Sequence, residues 1–204
     1  TVQAPILAVN NPIPATLIGE ACDKTTGTLT LSVTTSVSAL VGVKVGIAYD
    51  ADITVLAVTD TKGNVYTLVP GTAAQVGTGD AGLRGEQWTS SLAFPLTASV
   101  DTITATFSGT RSAACMKAFG HNLNMSVLEG VNTHAGTGTA PSVTVTPVGN
   151  PSYAFVFVAT EGPAADTYTE DADWTSLGAE VSTGDGGAAE SNITLNAAWF
   201  VIGT

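Results

Sequence analysis

Residues 41–69 read VGVKVGIAYDADITVLAVTDTKGNVYTLV. Val41, Val43, Val45, Ile47 and Tyr49 alternate with Gly42, Lys44, Gly46 and Ala48. A period of two is the pattern of a β-strand with one buried face, because successive side chains point to opposite sides of the pleat. A second strand follows over 53–59 and a third over 65–69. Between them, Asp60-Thr61-Lys62-Gly63-Asn64 has the chemistry of a hairpin turn. The Asp60 carboxylate can accept from backbone N–H groups ahead of it, and Gly63 can take the positive φ of a short bulged loop.

The same texture extends along the chain. Further strands are expected over 28–37, 87–96, 100–107, 122–128, 142–147, 153–160, 174–177 and 193–202. In the last, Ile193, Leu195, Ala197, Trp199 and Val201 share one face. Residues 112–119 are Ala-rich enough for a helical turn, but their flanks favour a strand. Residues 71–85 and 134–141 read as Gly-rich loops. No stretch of a dozen residues has helical periodicity. Many short strands with turns between them and no helices predict an all-β chain folded as a two-sheet antiparallel sandwich, jelly roll or barrel. Residues 1–20 contain Pro5, Pro12 and Pro14, which lack a backbone donor, so they are expected to form an extended arm ahead of a single β-sandwich domain over 21–204. The arm's apolar residues Ile6, Leu7, Val9, Ile13, Leu17 and Ile18 need cover, from their own domain or from a neighbouring subunit.

Composition narrows the function classes. Of 204 residues, 44% are hydrophobic and only 11% charged, against about 25% charged in an average soluble protein. The surface must therefore be built largely from Thr, Ser, Asn, Gly and Ala. Six Lys and Arg face seventeen Asp and Glu, a net charge of −11. Binding to phosphate depends on Lys and Arg, so nucleic acid and anionic membranes are not expected partners. No apolar run approaches the ~20 residues of a spanning helix, and no basic-then-apolar leader opens the chain. A first residue of Thr1 is what removal of an initiator Met, or of a leader, would leave. The two cysteines, Cys22 and Cys115, are far apart and form no CxxC pair. Cys115 lies in the apolar run SAACMKAF, so a buried thiol is the default and a Cys22–Cys115 bridge the alternative.

Chemistry-bearing residues are sparse. His121 and His134 have no HxH, HxxxH or HExxH neighbourhood. The densest polar cluster, residues 161–174 (EGPAADTYTEDADW), offers Asp166, Asp171 and Asp173 as weak calcium ligands, without the twelve-residue loop pattern that calcium sites use. Tyr168 and Trp174 flank this cluster and could stack on a sugar ring. A glycosidase needs two carboxyls facing each other across a cleft; Glu86, near Trp88, is the best strand-borne candidate. No GxSxG elbow is present. These absences point to a non-enzymatic protein that needs no cofactor.

The pattern of an alternating Val strand, a second strand and the hairpin Asp60…Gly63-Asn64…Tyr66 resembles an Ala/Thr/Gly/Val-rich β-sandwich family found among phage, prophage and bacterial surface proteins. VDTITATFSG (100–109), SVTVTP (142–147), YAFVFVATEG (153–162), DWTSLG (173–178) and ITLNAAWFVIG (193–203) recur there in the same order. The resemblance implies a concanavalin-like jelly-roll sandwich. It also implies a virion exterior protein: a capsid decoration (cement) protein, spike or tail component, bound to the major capsid protein or another virion component as a homo-oligomer, trimer or dimer. The alternatives are a secreted carbohydrate-binding module or adhesin, and a glycosidase or lyase on the same scaffold.

Overall fold

A computed structural model of the chain describes residues 15–24, 27–39, 41–121, 131–136, 144, 146, 152–162, 166–170, 172–184 and 192–202. Its strands are β1 (Thr16–Asp23), β2 (Thr30–Thr34), β3 (Gly42–Asp50), β4 (Val55–Asp60), β5 (Thr67–Leu68), β6 (Ala74–Val76), β7 (Leu83–Ser91), β8 (Thr102–Phe107), β9 (Ala114–His121), β10 (Ser152–Glu161), β11 (Thr175–Ser176), β12 (Val181–Ser182) and β13 (Ile193–Ile202). Every pairing is antiparallel. The expected two sheets are three among the described residues. A six-stranded sheet runs β1-β9-β3-β7-β5, with β6 also on β7; a second runs β2-β8-β4; a third runs β10-β13-β11, with β12 also on β13.

The six-stranded sheet is covered on both sides, and β3 and β9 are buried along their whole length. On one side Val43, Val45, Ile47 and Tyr49 join Leu31 and Val33 of β2 and Ile103, Ala105 and Phe107 of β8 in one apolar cluster. Tyr49 meets Phe107 edge-on at 5.4 Å. On the other side, Ala48 and Cys115 pack with Ile193 and Leu195 of β13, and Phe119 packs with Ala197 and Trp199. Gly46 makes this second contact possible: a Cβ there would lie 1.8 Å from a ring carbon of Phe157. Phe157 in turn stacks on Phe119 at 5.0 Å. The third sheet exists because the face of β3 that reads as solvent-exposed, Gly-Lys-Gly-Ala, is a shallow bed for aromatic side chains.

Four further expectations change. Residues 16–20 are not arm but part of β1, paired to β9 from Thr16↔Gly120 to Asp23↔Ala114. Ile18 is fully buried in the chain's own core and Leu17 is half-buried, so neither is left to cover another subunit. The 71–85 loop contains β6, a single 3-10 turn at Gly79–Ala81 and the start of β7. The sheet strand expected over 87–96 begins and ends earlier, since the chain leaves the sheet before Pro95, which has no N–H to pair. Cys22 and Cys115, a register pair of β1 and β9 with Cα atoms 4.1 Å apart, are joined in a disulfide. The thiol default fails because register, invisible in the sequence, sets them side by side. The hairpin turn is as expected: Asp60 Oδ1 accepts from the N–H of Lys62 (2.9 Å) and Asn64 (3.1 Å), and Gly63 has φ +77°. The strand expected over 122–128 lies outside the described residues, as does most of 142–147.

Candidate functional site

Residues 166–170 and 172–174 lie against the side of the third sheet that faces away from the core. On β13, Ile193, Leu195, Ala197 and Trp199 pack inward, so Thr194, Asn196 and Phe200 point the other way. The segment satisfies them. The Asp166 N–H donates to Thr194 Oγ1 (3.2 Å), and Asp166 Oδ2 accepts from Thr160 Oγ1 at 2.5 Å. Asn196 Nδ2 donates to Glu170 Oε1 (2.9 Å), which holds the Glu170 carboxyl below its ordinary range. The Tyr168 hydroxyl reaches Thr160 Oγ1 at 2.9 Å and the Thr194 carbonyl at 3.4 Å; burial pushes it up to about 12. Trp174 is half-buried against Phe200, ring centres 5.7 Å apart.

The polar groups of the acidic stretch are thus engaged mainly with the sheet. Asp166 and Asp173 are exposed and Asp171 lies outside the described residues. Among the described residues no three His, Cys, Asp or Glu side chains are grouped to hold a metal ion. Tyr168 and Trp174 do stand on one segment, but the Tyr168 hydroxyl and one side of Trp174 are occupied. Ile6, Leu7, Val9 and Ile13 fall outside the described residues. Glu86 is a structural acid: it is buried on β7 and accepts from Tyr49 Oη (2.9 Å) and Trp88 Nε1 (2.8 Å), with Arg84 Nε 3.7 Å away. Those partners are donors, not the second carboxylate that glycoside hydrolysis requires. His134 is exposed, and the His121 ring is buried 6.2 Å from that of Phe155.

Other buried ions are likewise absorbed. The fully buried Lys117 ammonium donates to the carbonyls of Leu177 (3.2 Å) and Ala179 (2.5 Å) and pairs with Glu20 at 3.3 Å. Burial still outweighs the acids around it and lowers its pKa. Arg111, also buried, donates to the Thr30 carbonyl (2.9 Å), pairs with Asp23 and lies 5.0 Å over Phe107. Lys44 sits 5.3 Å from the centre of the Phe155 ring, and burial pulls it down to about 8.

Two parts of the remaining described surface are largely uncharged. The outer side of the second sheet is a ladder of hydroxyls: Thr30, Ser32 and Thr34 stand opposite Thr106, Thr104 and Thr102, with Ser32 and Thr104 hydrogen-bonded at 2.8 Å. At one end of the sandwich, residues 35–39 and 41 meet loops 60–66 and 92–101. There Val65, Phe94 and Val100 are 76%, 57% and 66% exposed, and Val37 and Val41 are also exposed. These loops are tightly tied. Asn64 both donates to the Phe94 carbonyl and accepts from its N–H, at 2.9 Å each. Asp60 Oδ2 accepts from Asn64 Nδ2 and Tyr66 Oη. Asp101 accepts from Thr61 Oγ1 and the Thr97 N–H, bonds that hold its carboxyl below the ordinary range. Sequence reading missed this end because its residues come from three separate turns; the hint was apolar residues such as Val65 and Phe94 placed beside turn formers. Comparison with protein-family models, with curated proteins and with solved structures finds no match to this chain.

Proposed function

We propose that this chain is a non-enzymatic structural protein of a virion exterior, a capsid decoration protein that binds the outer capsid surface as a homo-oligomer. The observation that carries this reading is the rigid apolar end. Large apolar side chains displayed on hydrogen-bonded loops are what a protein-binding surface presents, because little conformational entropy remains to be lost on docking. The remainder agrees. The buried ions serve the interior, and the hydroxyl ladder carries no charge that would recruit nucleic acid or an anionic membrane. A disulfide across the β1–β9 pair suits an oxidising exterior.

The jelly-roll assignment belongs to the same proposal. The orders β1-β9-β3-β7 and β2-β8-β4 follow if the chain winds from sheet to sheet as two Greek keys do, and the third sheet is then an addition to that roll. Capsid binding is tested by measuring whether the protein co-purifies with virus particles at a fixed copy number and binds expanded capsids when purified. A protein that does neither is not a decoration protein. Glycan binding is the second reading. It is favoured by Trp174 staying half-exposed beside the exposed Asp173, and a glycan array without hits that Trp174→Ala abolishes would remove it.

A further inference from the structure

The Cys22–Cys115 bridge joins residues that stand directly opposite each other on β1 and β9, with Cα atoms 4.1 Å apart. The narrow pair of an antiparallel ladder sets Cα atoms about 4.5 Å apart without any covalent link. Strand pairing alone therefore brings the two sulfurs within reach of each other. That pairing has holds of its own. It continues on both sides of the bridge, through Ala21↔Met116 and Asp23↔Ala114. Ile18 is fully buried in the core, Glu20 pairs with Lys117 at 3.3 Å, and Asp23 pairs with Arg111 at 3.3 Å. Strand β1 thus has what it needs to stay on β9 with the bond open. The Cys115 sulfur also has a place as a thiol. It is fully buried with Ala48, Ile193 and Leu195, and it lies 3.4 Å from the Ile193 carbonyl, to which an S–H can donate weakly.

The two sulfurs differ in access. Strand β1 is an outer strand of the six-stranded sheet, and Cys22 is half-buried there. Strand β9 runs between β1 and β3, and Cys115 is sealed under the third sheet. A thiolate from solvent therefore meets the bond from the Cys22 side. We infer that this bridge is a redox-set lock, opened and closed in the folded chain by thiol–disulfide exchange at Cys22. In opening, one thiolate of a dithiol reductant attacks Cys22 Sγ. A new S–S bond forms there and the bond to Cys115 breaks. The electron pair leaves on Cys115 Sγ, which takes a proton from solvent and becomes the buried thiol. The reductant's second thiol, deprotonated, then attacks its own sulfur in the mixed disulfide. This closes the reductant into a cyclic disulfide and releases Cys22, which takes the second proton. Two electrons and two protons pass from the dithiol to the chain. Closing starts with the Cys22 thiolate on a small oxidised disulfide, after which Cys115 displaces the small thiol. The chain can thus fold reduced and be locked on reaching an oxidising medium. Such a lock serves the chain whatever surface it binds.

The test uses full-length protein throughout. The wild type is treated with dithiothreitol at neutral pH without denaturant, and the opened thiols are alkylated and counted by mass spectrometry over time. Near-ultraviolet circular dichroism follows the tertiary fold, and unfolding kinetics in urea, extrapolated to water, give the rate of global unfolding. The expected result is opening at least ~10-fold faster than global unfolding, a near-ultraviolet spectrum that the reduced chain keeps, and closure of the bond by oxidised glutathione. Opening only at the rate of global unfolding, or loss of the spectrum on reduction, overturns the lock and leaves a structural staple. The point of exchange is read from Cys115→Ser and Cys22→Ser, each exposed to oxidised glutathione. Residue 22 of the first variant should take up glutathione at least ~10-fold faster than residue 115 of the second. Should either variant lose its near-ultraviolet spectrum, the wild type is quenched with acid during closure and digested, and the glutathione is located on residue 22 or 115. Equal rates, or glutathione found on residue 115, overturn Cys22 as the point of exchange.

Discussion

On one face of β3, Val43, Val45, Ile47 and Tyr49 fill the space under the second sheet with their own bulk. On the other, Gly42, Lys44, Gly46, Ala48 and Asp50 leave space that Phe155 and Phe157 of the third sheet occupy. Both faces are buried. The first is an ordinary aliphatic core, tolerant of small losses because neighbouring side chains can shift. The second depends on what is missing from β3, and it also carries the buried Lys44 and Asp50 and, on β9, Lys117. Burial by bulk and burial by vacancy should fail differently when perturbed.

The largest difference is expected between neighbouring positions. Gly46→Ala adds one carbon, but that carbon would sit 1.8 Å from the Phe157 ring, which is itself backed by Phe119. The third sheet must lift or β3 must bend, at a cost of about 3 kcal/mol or more. Ile47→Val removes one carbon from the opposite face and should cost about 0.5–1.5 kcal/mol. Urea unfolding of both variants measures the gap; equal losses would mean that the third sheet does not press on β3.

Next in size is the disulfide, which borders the same face through Cys115. It closes a loop with a sequence separation of 93 residues. The double replacement Cys22→Ala/Cys115→Ala should cost about 2–5 kcal/mol, chiefly by releasing the unfolded chain. Thermal melting with and without reductant checks this: the wild type should fall towards the double variant on reduction, while the variant does not respond.

These contrasts explain what was legible in the sequence. β8 and β13 were readable because each has a core-facing row of apolar residues, and the 60–64 turn because Asp60 and Gly63 have one efficient use there. Half of β3 was readable. Its other half spells Gly-Lys-Gly-Ala, the composition of a solvent face, and nothing local announces that aromatic residues more than a hundred positions later will lie on it. β1 was missed because its register shifts between Leu17 and Gly19, breaking the period of two just where three prolines upstream suggest an arm. The core side of β7 carries Glu86 and Ser90 between apolar contacts, which disguised its start. The 161–174 stretch was recognisable as polar, but whether its groups face water or the sheet depends on Thr160, Thr194 and Asn196, which only the fold brings to it.

Lys44 provides a smaller effect of opposite sign. Burial beside Phe155 lowers its pKa from 10.5 to about 8. Between those values the unfolded chain holds the proton more firmly than the folded one, so wild-type stability rises with pH; below about 8 the full penalty of a buried ammonium is present. Lys44→Met keeps the length and loses the charge. It should stabilise the fold at pH 7 by about 1–3 kcal/mol, a gain that shrinks towards pH 10. A gain that is the same at both pH values would place its origin in packing.

Asp50 should show the smallest net effect and the clearest pH signature. Its Oδ2 accepts from the N–H groups of Ser112 and Ala113, while Oδ1 is buried without a hydrogen-bond partner. Burial is the main cause that raises its pKa from 3.8 to about 6; the two N–H bonds oppose the rise and nearby Asp80 and Asp52 add to it. The folded chain therefore binds the Asp50 proton more tightly than the unfolded one. The stability this contributes is complete below about pH 4, is lost as pH rises from 4 to 6, and is absent above that range. Asp50→Asn can still accept both N–H bonds, but it places an amide where Oδ1 now lies, at a cost of about 1–3 kcal/mol. That cost and the relief of a buried charge nearly offset each other at pH 8, whereas at pH 4 only the cost remains. Comparing unfolding free energies of wild type and variant from pH 4 to 8 should show the variant gaining on the wild type by about 1–3 kcal/mol. A flat difference would mean that water reaches Oδ1, and that the vacancy side of β3 is wetter at its Asp50 end than at Gly46.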